Sequence, residues 1–340
     1  MLALLTGLGL ALAVVHTVVN GFHDASNALA LPVRSRALTP KVGLLLSALL
    51  NAVGVLAAGW LLAGWQIVAV PVPLDAVGAA ALVCTLLSTI AWNLLTWWLG
   101  MPSSSTTALA GGLLGALLGA RAVGLLGHSP LTLTALTQIA VPLLVAPLLA
   151  YGLAWGLVVP LLHVLRHSEP TTTTFRSQLA QATGAAVIAF GHGLHHGRRA
   201  AWVVTTLLLC GGLTASARPT EPWVLVLVAA ALAVGTLFGG WRIAYTLSSR
   251  MVTIDPFRGA VAQGVAGSLL FLGGTLIPVP LSTSQTTAAA ILGAGRQQRF
   301  HTVNARVVRR VLVVWALTVP ACGILSGILL LALSPLLQGR

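Results

Sequence analysis

Two stretches decide how this chain folds: Asn20-Gly-Phe-His-Asp-Ala-Ser-Asn27 and His192-Gly-Leu-His-His-Gly-Arg-Arg199. Each is a polar interruption that follows an apolar run. Each is followed, much further on, by a proline that opens a hydroxyl-rich run and then a small-residue apolar stretch: Pro102-Ser-Ser-Ser-Thr-Thr107 in the first half and Pro280-Leu-Ser-Thr-Ser-Gln285 in the second. The two pairs keep their order and nearly the same spacing, about 172 and 178 residues, as expected of an internal repeat.

Around these motifs the chain is made for lipid. Of 340 residues 57% are hydrophobic and 7% charged, a balance that cannot cover a water-exposed surface. Crossing a hydrocarbon core of about 30 Å takes roughly 20 helical residues. Apolar runs of that order fall at about 2–20, 41–63, 77–99, 131–165, 179–191, 200–215, 223–246, 257–277 and 311–335. The run over 131–165 is too long for one straight span, and Pro142, Pro147 and Pro160 are placed to kink or split it. The opening run from Met1 to Val19 lacks a basic leader and a small-residue cleavage site, so it reads as a span that stays.

The net charge of +13 would suggest nucleic acid in a soluble protein. Here Arg34, Arg36 and Lys41, and Arg296, Arg299, Arg306, Arg309 and Arg310, lie between apolar runs, where they meet lipid headgroups and bias topology. No aromatic-plus-basic stacking platform accompanies them, and nucleic acid is not expected as a partner. The basic cluster at 34–41 after an uncharged start favours the N-terminus outside. Trp60, Trp92, Trp97, Trp98 and Trp241, near span ends, suit an aromatic belt. Cys84, Cys210 and Cys322 are odd in number, far apart and within apolar runs, so they read as packing residues.

The polar stretch His167-Ser-Glu-Pro-Thr-Thr-Thr-Thr-Phe-Arg176 divides the chain into a first transmembrane repeat over 1–166, a linker over 167–178 and a second repeat over 179–340. Polar breaks at corresponding places in two halves point to a secondary transporter, because irregular backbone survives at membrane depth only where it lines a cavity. The fold expected is an all-α integral membrane protein. It has about 10–12 transmembrane or re-entrant helical segments in two inverted repeats, with discontinuous helices at a midplane site.

Asp24 is the sole acid in an early apolar region. An intramembrane carboxylate is costly unless it binds a cation or carries a proton; the competing role is an N-cap of a resumed helix. His23 and Asn27 surround it, Asn27 one turn on and able to donate to an anion. The hydroxyls of Ser104, Ser105 and Thr106, and of Ser282, Thr283 and Ser284, would sit at the starts of short helices whose backbone N–H groups attract oxyanions. The alternative is that they bond to their own helices. His192, His195 and His196 share a helix face; with no nearby carboxylate or thiol, and with Arg198 and Arg199 opposing a cation, anion pairing or proton relay fits better than a metal site. Asp75, Glu169, Glu221 and Asp255 look like span-end or loop residues. No cofactor loop or nucleophile motif argues for an enzyme.

The stretch from Gly21 to Ala28, followed by Ser35-Arg-Ala-Leu-Thr-Pro40 and then by Trp92 through Ser105, resembles the inorganic phosphate transporter family known as PiT. Gly240-Trp-Arg-Ile243, Pro280 through Ser284 and Val307-Val-Arg-Arg310 are similar to that family's second half. The resemblance implies a phosphate symporter of the cell membrane with inverted repeats, re-entrant hairpins and a Gly-Ala-Asn-Asp type motif in each half. Carried onto this chain, the first motif falls on Gly21, His23, Asp24 and Asn27, and the second on Gly193, Leu194, His195 and His196, where both polar members are replaced. Thr107 and Gln285 stand where the hairpin pattern has histidine, and Gln263 where relatives often carry an acid.

The implied substrate contacts are Asn27, Ser104, Ser105, Thr106, His195, His196, Ser282, Thr283 and Ser284, with Asp24 and His23 handling the coupling ion. Loss of acids from the second half weakens a duplicated cation arrangement and favours proton over sodium coupling. Sulfate or another tetrahedral oxyanion, sodium coupling, and an uncoupled channel or sensor on the same fold stay open as alternatives, as does assembly into a homo-oligomer. No cofactor or metal is expected.

Overall fold

The structure is a computed structural model that describes residues 1–61, 71–215, 221–275, 281–298 and 303–339. Pro280 and Arg299, both singled out above, lie outside the described residues. Twelve α-helices follow one another among them: α1 (Leu2–Arg34), α2 (Pro40–Leu61), α3 (Ala76–Leu99), α4 (Ser105–Ala122), α5 (Leu133–Ala140), α6 (Ala146–Leu165), α7 (Pro170–Cys210), α8 (Pro222–Phe238), α9 (Trp241–Tyr245), α10 (Pro256–Thr275), α11 (Thr283–Arg296) and α12 (Ala305–Leu337). The described residues contain no strand, only an isolated bridge between Val252 and Val303.

Among the described residues five helical stretches are long and apolar enough to cross a membrane, and a sixth span arises if α8 and the helical segment Trp241–Arg250, bent by 56°, count as one. The run over 131–165 does not split. It is one helical stretch, Leu133–Leu165, with a π-helical turn at Val141–Val145, where Pro142 and Pro147 interrupt the regular ladder.

One expectation needs correcting. The motif stretches do not break their helices: α1 runs through Asn20–Asn27 and α7 runs unbroken through His192–Arg199. A polar run in an apolar helix need not be irregular, because its backbone bonds stay within the helix while its side chains find partners on another. Within the 167–178 stretch the chain is helical from Pro170 onward. Pro170 starts α7, as proline at a first helical position does, and the Thr run is helical, with the Thr174 hydroxyl donating to Pro170 O at 2.8 Å.

The breaks lie instead at the hydroxyl-rich runs. Gly100, with φ of 66°, ends α3 in the left-handed region, and the chain then runs extended until Ser104 caps α4 by accepting from the Thr107 amide at 3.2 Å. Ser282 caps α11 in the same manner through the Gln285 amide at 3.3 Å. The four acids other than Asp24 sit at the N-cap positions of α3, α7, α8 and α10, where they complement the helix dipole. Asp75 accepts from Val77 and Gly78 amides, and Asp255 accepts from the Arg258 amide and pairs with its guanidinium. Of the tryptophans, Trp60 and Trp98 are exposed as a lipid belt requires, whereas Trp92 donates to Thr318 and Trp97 packs edge-on against Phe22.

Helix packing comes in matched pairs. α1 packs on α3 as α7 packs on α10, α2 on α7 as α8 on α1, and α4 on α12 as α11 on α6. The pairs cross at glycines for one reason: a Cβ at Gly54 would lie 2.3 Å from Phe190 O and one at Gly193 2.2 Å from Asn51 O, while one at Gly235 would lie 2.1 Å from Val18 O and one at Gly21 2.5 Å from Leu232 O. Backbones in contact bring the motif helices close enough for short polar side chains to meet. Two apolar cores flank that meeting point. One takes Ala13 of α1 and Ala200 to Leu208 of α7; the other takes Ala28 to Leu31 of α1 and Ala185 to Ala189 of α7. The motifs lie between them.

Candidate functional site

Where α1 and α7 meet, polar side chains from both motifs are buried and meet one another and the polar side chains of neighbouring helices. Asn20 Nδ2 donates to His196 Nδ1, and His192 Nε2 lies 3.3 Å from Asp24 Oδ2. In the repeat register Asn20 matches His192 and Asp24 matches His196. The contacts are therefore reciprocal: the first position of each motif meets the fifth of the other.

Asp24 is the hub. Its Oδ1 accepts from Ser284 Oγ at 2.8 Å and faces His23 Nδ1 at 2.9 Å. Asn27 Nδ2 donates to the same Ser284 hydroxyl at 2.9 Å, so the start of α11 is tied to the first motif twice. His23 Nε2 lies 3.2 Å from both Thr96 and Ser103 hydroxyls, which are themselves 2.8 Å apart. On the far side, Asn51 Oδ1 accepts from His192 Nδ1 at 2.9 Å, and Asn51 Nδ2 donates to Thr236 at 2.9 Å. The start of α4 reaches the motifs through Ser105, which donates to Asn20 Oδ1 and accepts from Asn93 Nδ2, both at 3.4 Å. Two helix N-termini thus bear on the paired motifs, a setting that favours an anion without requiring a charged side chain.

The hydrogen bonds settle two tautomers. Thr236 holds the Asn51 carboxamide so that its oxygen faces His192, and a ring nitrogen opposite an oxygen must carry the proton. Neutral His192 therefore turns an unprotonated Nε2 toward Asp24. For His196 the amide of Asn20 is the donor, so Nδ1 accepts and the proton lies on Nε2, which is buried and has no partner among the described residues.

The residues expected from sequence divide into groups. His23, Asp24, Asn27 and Ser284 form one cluster, and Ser105 and His196 meet through Asn20. The Ser104 and Ser282 hydroxyls are engaged in capping. His195 is tied to α10 through Leu270 O at 2.9 Å. Thr106 and Thr283 are buried at the first turns of α4 and α11. Gln285, buried at the start of α11, leaves both side-chain polar atoms unpartnered, and Gln263 donates to Ala28 O at 3.3 Å. Asn51, Asn93, Thr96, Ser103, Thr236 and His16, whose ring packs 5.7 Å from that of His196, were not anticipated. Asn51 and Asn93 carried a usable signal, since an amide inside an apolar span needs a partner. No grouping of histidine, cysteine and acid able to hold a metal occurs among the described residues.

A family model described as the phosphate transporter family matches residues 20–326, which takes in both motifs and both hydroxyl-rich runs. The chain belongs to the phosphate transporter family. It is similar to a protein of Bacillus subtilis (strain 168), at 31% identity over 328 residues and 96% of each chain, and to one of Rhizobium meliloti (strain 1021), at 30% over 325 residues, covering 96% of this chain and 95% of the relative. Both are described as a probable low-affinity inorganic phosphate transporter. Among solved structures, one entitled the sodium-dependent phosphate transporter superposes with a TM-score of 0.77 over 97% of this chain and 99% of the other, at 17% identity, a likeness of fold. This family member is a multi-pass cell-membrane transporter and not an enzyme.

Proposed function

We propose that the chain carries inorganic phosphate across the cell membrane as a proton-coupled symporter working by alternating access, its two halves inverted with respect to each other. The observation that carries the coupling is the contact of His192 Nε2 with Asp24 Oδ2 at 3.3 Å. With Asn51 fixing the tautomer, both atoms are acceptors, and the pair is favourable only when one proton lies on it. That proton is shared between the two halves, so its loading and the relative position of the halves are linked. Sodium, a hard cation, takes oxygen ligands, and the imidazole nitrogens on either side of Asp24 suit it poorly.

Phosphate fits the remaining groups: amides of Asn20 and Asn27, hydroxyls of Ser105, Thr106, Thr283 and Ser284, the Nε2–H of His196 and two helix N-termini, donors in the main and able to surround an oxyanion. Ser104 and Ser282 contribute by capping those helices, and His195 by holding α10 against α7. The relatives' description as inorganic phosphate transporters supports the same substrate.

Radiolabelled phosphate uptake into proteoliposomes tests the reading. An acid-outside gradient is expected to drive accumulation, with sulfate a weak competitor. Steep dependence on sodium with no response to the proton gradient would reject the coupling, and sulfate uptake undiminished by excess phosphate would reject the substrate.

A further inference from the structure

The matched halves are not equally satisfied. In the first, Asp24, Asn27 and Ser284 bond to one another. Their mates in the repeat register are His196, Arg199 and Thr106. Neither of these two bonds is repeated there: the His196 Nε2–H is buried and unpartnered, and Arg199 makes no hydrogen bond or ion pair among the described residues. Arg199 is nevertheless part of the centre. It is partly buried on α7, one turn beyond His195 and His196, which are both buried in the cluster. Asp24 is itself already taken up by His23, Ser284 and His192.

We infer that Arg199 is the fixed cationic anchor for the transported oxyanion, standing in the second half where Asn27 stands in the first. An intramembrane guanidinium without a counter-charge is costly, and a tetrahedral oxyanion supplies both the charge and the paired acceptors that its planar fork matches. The centre is then polarised across the two halves, with a cation-handling side at Asp24 and an anion-holding side at Arg199 and His196. This rests on the transport reading above and adds which half takes which ion.

Calorimetric titration of inorganic phosphate into the purified full-length protein gives the test, with R199Q, R199K and the double variant D24N/R199Q. Removing the guanidinium is expected to weaken phosphate binding by about tenfold or more, the loss of a charge-assisted contact. R199K, which keeps charge but not the fork, falls between. The double variant stays as weak as R199Q. Wild-type affinity in R199Q overturns the inference, and so does recovery in the double variant, which would make Arg199 a charge balance for Asp24. If R199Q does not fold, phenylglyoxal labelling of the wild-type protein, read by peptide mass spectrometry, decides: phosphate must slow modification of Arg199 more than that of Arg198, and equal rates reject the anchor. A wild-type protein that binds no phosphate at all sinks the substrate reading instead.

Discussion

Asn51 Oδ1 accepts a hydrogen bond from His192 Nδ1 at 2.9 Å, and that contact decides whether the Nε2 that His192 turns to Asp24 carries a proton. Asn51 lies on α2, outside both motifs, yet it sets the protonation chemistry of the pair that joins them. Replacing Asn51 by Leu frees the ring to take the other tautomer, in which Nε2–H donates to the carboxylate without an added proton. Proton-driven phosphate uptake in N51L is expected to fall by about tenfold, the worth of one well-placed buried hydrogen bond. T236V, which releases the Asn51 amide but leaves its oxygen able to face His192, is expected to lose less. Equal uptake rates in all three proteins would argue against tautomer control.

Asp24→Asn keeps the shape of the hub and its bond from Ser284 but removes the titrating group. Accumulation against a gradient is expected to vanish while phosphate exchange across vesicles at equal concentrations continues. Counting both fluxes in one preparation separates loss of coupling from loss of binding; residual uphill uptake at the wild-type level would rule out Asp24 as the coupling residue.

The glycine crossings make a stability prediction. A Cβ at Gly193 would lie 2.2 Å from the Asn51 carbonyl, whereas one at Gly7 has nothing within 4 Å. G193A is expected to cost about 1–3 kcal/mol through overpacking and to lower the temperature at which the protein leaves the monodisperse peak in detergent chromatography. G7A should leave that temperature unchanged or slightly raised, alanine being the better helix former.

Ser282 and Ser284 lie two residues apart and should behave differently. S282A removes an N-cap, a loss of about 1 kcal/mol felt as lower thermal stability. S284A removes the hydroxyl that joins Asn27 to Asp24, so the larger change is expected in phosphate uptake kinetics. The same unfolding scan and the same uptake series on both variants distinguish the roles.

Much of this was readable from residue types alone. The scarcity of charge placed the chain in lipid, and the paired hydroxyl-rich runs marked two helix starts, each found capped by a serine of its own run, Ser104 and Ser282. Asp24, Asn27 and Ser284 could be named because polar groups at membrane depth are costly and must gather. What sequence could not give was the partner of each: Asn20 meets His196 across 176 positions and Asn27 meets Ser284 across 257. Without those partners the polarity of 20–27 and 192–199 looked like a break in the helix. Asn51 and Asn93 escaped notice for the opposite reason, each being a lone amide in an otherwise apolar span.

The unbroken α7 has a mechanical consequence. With no proline beyond its first turn, a helix of 41 residues is about 60 Å long at 1.5 Å per residue, and it cannot flex at His192 without tearing its own ladder. Gln181, near one end, is bonded to Ser35 and to Pro256 O, and Cys210, at the other, to Pro73 O. The helix is therefore a lever with its load near the middle: a tilt that lifts one end away from its neighbours presses the other end inward, and carries the histidines and Arg199 with it.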